Sequence, residues 1–166
     1  MAVSLSINEK NLTSAQVSMM SQLENYDMSF VFDKLIIDDK ISECDVPQLE
    51  IEFKKFIALA GLKIYPIAMI SPLVDEVWHQ FILFTKHYKE FCQNTVGFFV
   101  GHMPDTPKTP IPVAAGENLR MGYKKFFGNI HDIWYKGMDE ETKAYYMQPK
   151  LIGKPPKMWS GWAGHE

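Results

Sequence analysis

Asp75 and His79 stand four residues apart in the stretch Val74-Asp75-Glu76-Val77-Trp78-His79-Gln80-Phe81. On a helix that spacing puts both side chains on one face. A carboxylate beside an imidazole can orient the ring and serve either metal ligation or general-base chemistry. His102 follows the same segment at the mouth of a proline-rich stretch, and His131-Asp132 is a second histidine–carboxylate neighbour further along. A site assembled from Asp75, His79, His102 and His131 would suit zinc or a non-haem iron. A plainer reading makes Asp75 and His79 a polar pair that fixes its helix against the following loop. No HExxH, CxxC or HxH spacing accompanies these residues, so their convergence is an expectation about tertiary structure.

Other chemically notable side chains surround them. Trp78 is expected to pack while its indole N–H finds a carbonyl. Cys92 falls on an apolar face near Tyr88, where a buried and inert thiol is the expected state. Cys44 and Cys92 lie far apart and form no disulfide framework or metal pair, which fits a reducing compartment. Trp159 and Trp162 sit in the Gly-rich end WSGWAGHE, either docked back onto the domain or exposed as an aromatic recognition peptide.

The elements that must position these groups read as helices. Asp27 can cap a helix carrying Met28, Val31, Phe32, Leu35 and Ile36 on one stripe. Asp45, Pro47 and Gln48 supply a cap, a first-turn proline and a capping-box partner for a helix ending near Gly61. Ser71-Pro72 opens another in the same style, predicted to run to about Asn94 with Val74, Val77, Phe81, Phe84, Tyr88, Phe91 and Cys92 on one face. Residues 95–116 contain Pro104, Pro107, Pro110 and Pro112 and read as a long surface loop. Helical spacing returns at Leu119, Tyr123, Phe126, Phe127, Ile130 and Trp134, and Asp139-Glu140-Glu141 starts a last short helix. The predicted fold class is all-α: a compact bundle of four or five helices with a long proline-rich crossover loop. Residues 1–26 read as a weakly structured N-terminal segment, 27–148 as the helical domain, and 149–166 as an irregular tail.

With 166 residues, 46% hydrophobic and 22% charged, the chain has the composition of a folded globular protein with one core. Its net charge of −3 gives no basic excess for nucleic acid. No apolar run approaches the roughly 20 residues that cross a bilayer, and the N-terminus lacks a signal-peptide pattern. The expected setting is cytoplasmic, and the expected partner is another protein or a small ligand.

The run from Val74 through Trp78, His79, Tyr88 and Cys92, followed by Gly97 and His102, resembles the glycine-rich-domain-protein-like family over about residues 27–104. The resemblance implies a helical fold and a place to look; Phe81 stands where that family's pattern has a second histidine. The leading expectation is a helical binding module working through the Asp75–His79 helix and the 95–116 loop, with Asp75, Trp78, His79, Tyr88, Cys92, His102, Trp159 and Trp162 at its surface. Its competitors are a zinc- or iron-dependent enzyme centred on His79, and a domain whose aromatic tail is the recognition element.

Overall fold

Side-chain N-caps open three of the seven α-helices among the described residues. Thr13 accepts the backbone N–H of Gln16 while the Gln16 side chain accepts that of Thr13, a reciprocal box that opens α1, Ser14–Asn25. The structure, a computed structural model, describes residues 2–152, 155–156 and 161–164. Met19, Met20 and Leu23 of α1 are buried, so this segment is a packed helix rather than a marginal one. Asp27 accepts the N–H of Ser29 at the start of α2, Ser29–Ile37. The next helix, α3, spans Val46–Gly61 with Pro47 in its first turn. The capping box expected there does not form. Asp45 pairs with Lys136 at 2.6 Å, and Gln48 donates to Glu52 at 2.8 Å.

The long helix predicted over 72–94 is two helices. Ser71 Oγ accepts the N–H of Val74 at 3.2 Å and opens α4, Pro72–Leu83, while α5 spans Thr85–Thr95. Between them Phe84 leaves helical geometry at ψ 59°. The break has a packing consequence. Residues ten apart on a straight helix are separated by about 15 Å, yet Trp78 Nε1 donates to Tyr88 Oη at 2.8 Å, and that hydroxyl donates to the Val100 carbonyl at 2.6 Å. Only a bent segment lets these side chains meet.

The later helical signal is also divided. α6, Ala115–Phe127, stops at Gly128, whose φ of +87° lies in the left-handed region open to glycine. Trp134 therefore sits on a separate 3₁₀ turn, Asp132–Tyr135. Asp139 accepts the N–H of Thr142 and opens α7, Glu140–Tyr146. Seven α-helices are present among the described residues, more than the four or five expected.

The fold is mostly helical but not all-α. A small antiparallel sheet is built from β1, Ile67–Met69, β2, Gly101–Pro104, and β3, Gly161–Gly164, in the order β1-β3-β2. Strands of three and four residues are too short to display alternation, so sequence periodicity passes them over. The sheet corrects two readings: the proline-rich segment enters as a strand, and part of the tail supplies the sheet's central strand. One core joins the layers, with Phe53, Phe56, Trp78, Phe81, Tyr123 and Trp134 fully or almost fully enclosed. Among the described residues no helix is long and apolar enough to cross a membrane.

Candidate metal centre

Asp75 lies on the first turns of α4 with its side chain only 10% exposed, and two imidazoles converge on it. His79, one helical turn later, places Nδ1 3.4 Å from Asp75 Oδ2. His102 arrives on β2 from 27 residues away and places Nε2 3.1 Å from Asp75 Oδ1. The two imidazole rings lie 4.5 Å apart. One ligand atom from each of Asp75, His79 and His102 can be chosen so that all lie within 4.8 Å of one another.

The three side chains are held unequally. His102 is 6% exposed in its side chain and rests against the Trp78 ring at 4.3 Å. Trp78 is itself fixed by the Tyr88 hydroxyl. His79, by contrast, is 47% exposed, although its ring still meets Asp75 and the His102 ring. A metal bonded at about 2.0–2.2 Å to nitrogen and oxygen draws its ligand atoms to about 3–3.5 Å from one another. The spread of up to 4.8 Å is wider than that, so an ion here would have to draw the side chains closer. Two nitrogens and one carboxylate oxygen suit zinc, iron(II) or cobalt(II), and three protein ligands leave coordination positions open.

Not every expected residue joins this centre. His131 is not in the cluster. It lies on the exposed approach to the 3₁₀ turn, where its Nδ1 accepts the N–H of Ile133 at 3.1 Å, and it lines a separate cleft of about 580 Å³ with Cys44, Asp45, Gln48 and Lys143. α6 ends at Gly128, and His131 caps the 3₁₀ turn that follows. Trp78, Tyr88 and Cys92, expected at a working surface, lie inside, at 0%, 1% and 0% exposure. Burial pushes the Tyr88 hydroxyl well above its ordinary range and raises the Cys92 thiol, so neither ionises readily. Cys44 and Cys92 are both free thiols. Trp162 is docked in β3 and partly buried, paired with Ala68 on one side and Met103 on the other. Trp159 lies outside the described residues.

Sequence reasoning missed a second polar centre. Glu52 on α3 is fully buried and accepts from Gln48, Lys55, Tyr123 and Trp134. Lys54, also fully buried, donates to the Tyr26 carbonyl at 2.8 Å and to Glu50 at 2.6 Å. The available signal for Glu52 was its register, three residues after Leu49 and four before Phe56 on the apolar stripe of α3.

The expected kinship with the glycine-rich-domain-protein-like family is overturned by the family comparison, which matches a different model. The residues that suggested it have a local explanation: Trp78 and Tyr88 are spaced to bond each other across the α4–α5 bend, and Cys92 fills the core beside them. No curated protein and no solved structure matches the chain. Residues 18–125, well over half of the sequence, match the model of a family described as UCP032817-like, and the chain belongs to that family.

Proposed function

We propose that this domain binds a divalent transition-metal ion, zinc or iron(II), through Asp75, His79 and His102. The observation that carries the reading is the convergence of three ligand atoms of suitable type within 4.8 Å, at a place where His79 is half exposed and the other two are nearly enclosed. Burial of Asp75 and His102 pre-organises two ligands, and exposure of His79 gives an ion a way in. A closed structural site normally supplies four protein ligands. Three leave room for water or a small ligand with an oxygen or nitrogen donor, so this centre is of the kind that presents a metal to a further molecule. His131, on the separate cleft, takes no part.

The test is metal binding by untagged full-length protein. Cobalt(II) should bind with a stoichiometry of one and give a visible spectrum that zinc abolishes. Zinc at 100 times its dissociation constant should stabilise the fold by about 2.7 kcal/mol. His79→Ala and His102→Ala should each weaken binding at least tenfold, and His131→Ala should leave it unchanged. Absence of stoichiometric metal and of any metal-dependent rise in Tm would reduce Asp75, His79 and His102 to a polar pin between α4 and β2.

A further inference from the structure

The strand that carries His102 is held in place by the far end of the chain. β1 and β2 do not pair with each other; β3 lies between them and bonds to both. In this register Ala163 faces His102, Trp162 faces Met103 and Gly161 faces Pro104. Ala163 is fully buried. Residues directly opposite on antiparallel strands share a face, so His102 and Ala163 lie together on the side turned toward Trp78 and the helices.

Gly161 makes the closest approach. A Cβ at this position would collide with the Met103 carbonyl oxygen and stand 2.9 Å from His102 Cε1. The His102 ring thus lies between the indole of Trp78 and strand β3, whose missing Cβ leaves space for it. Gly101, on the His102 strand itself, is the opposite case, since a Cβ there would meet nothing within 4 Å. The bare Gly161 backbone thus fits closely against both the β2 main chain at Met103 and the His102 ring.

Resting on the metal-binding reading above, we propose that β3 is an integral part of the metal centre: Gly161 is a positioning residue for His102, and tail docking and metal binding are thermodynamically coupled. A bound ion fixes His102, which fixes β2 and favours the pairing of β2 with β3. By reciprocity a docked β3 raises metal affinity by the same factor that metal raises docking. Residues that orient a ligand without touching the ion typically change metal affinity about 10–100-fold when altered, and that is the range expected for Gly161.

The experiment uses untagged full-length protein, with Gly161→Ala as the probe and Gly101→Ala as the control, and zinc affinity read by competition with cobalt(II). Gly161→Ala should weaken zinc about 10–100-fold, with Gly101→Ala within about twofold of wild type. In wild type, zinc should slow hydrogen exchange at the Trp162 and Ala163 amides by a comparable factor, a measurement that needs no variant and decides the matter if Gly161→Ala does not fold. Zinc binding by wild type with unchanged exchange at Trp162 and Ala163, or with equal affinity in Gly161→Ala, overturns the coupling and leaves the metal site standing. A wild type that takes no zinc overturns the metal site itself, and the coupling with it.

Discussion

Two buried carboxylates sit on the packed neighbours α3 and α4, and their surroundings differ in one decisive respect. Glu52 is enclosed at 0% exposure, and its oxygens take hydrogen bonds from Gln48, Lys55, Tyr123 and Trp134. Lys55 in turn donates to Tyr123 at 3.2 Å and lies over the Tyr123 and Phe127 rings. Donors come from α3, α6 and the 132–135 turn, so the carboxylate ties three elements together. Asp75 at 7% exposure is met instead by two imidazoles, at 3.1 Å and 3.4 Å, one of them half open to solvent. A carboxylate saturated by fixed donors has no capacity left for a ligand. One met by imidazoles, a side-chain type able to ligate metals, at the edge of the core is the candidate for keeping that capacity. Chemical type is the same in both places, and the identity and exposure of the partners separate a structural hub from a candidate centre.

That contrast yields predictions about stability and binding that should separate cleanly. The largest effect falls on the hub. Glu52→Ala strands the Trp134 indole N–H, takes the acceptor from the Tyr123 hydroxyl and breaks the Lys55 ion pair, and should destabilise the fold by about 3–5 kcal/mol, read as a lower urea midpoint. A loss below about 1 kcal/mol would show that the hub does not hold the fold together. Tyr88→Phe is intermediate. It removes the acceptor of Trp78 Nε1 and the donor to Val100, and should cost about 1–3 kcal/mol while changing zinc affinity only severalfold, because Trp78 still packs on His102. Asp75→Asn should be the mildest for folding, at about 1 kcal/mol or less, since the amide oxygen still accepts from His102. The same variant should lose metal binding. A hub-sized loss of stability from Asp75→Asn would erase the distinction between the two carboxylates.

How far these features could be read in advance depended on the range of the interaction involved. Ser71-Pro72 and Asp139 open their helices as their residue types suggest, because a cap is an interaction over three residues. The Asp75–His79 pair follows from helical spacing alone. Asp45 shows the limit: it sits at a helix start, yet its carboxylate is taken by Lys136, 91 residues away. The bend at Phe84 carried no glycine or proline to announce it. The burial of Glu52 and Lys54 contradicted the polarity of their side chains, and partners from distant segments explain it. β3 was illegible because four residues, Gly-Trp-Ala-Gly, contain no period to detect.

The sequence by itself determined that the chain would be mostly helical, where α3, α4 and α7 begin, and that an acid and an imidazole would share one helix face. These follow from side-chain preferences and a 3.6-residue period, which act within a turn or two. Only the tertiary structure decided that His102 rather than His131 completes the cluster, that Glu52 becomes a closed hub, and that the far end of the chain is laid against the His102 strand. Those outcomes depend on which distant surfaces exclude water together, and short-range patterns do not encode that choice.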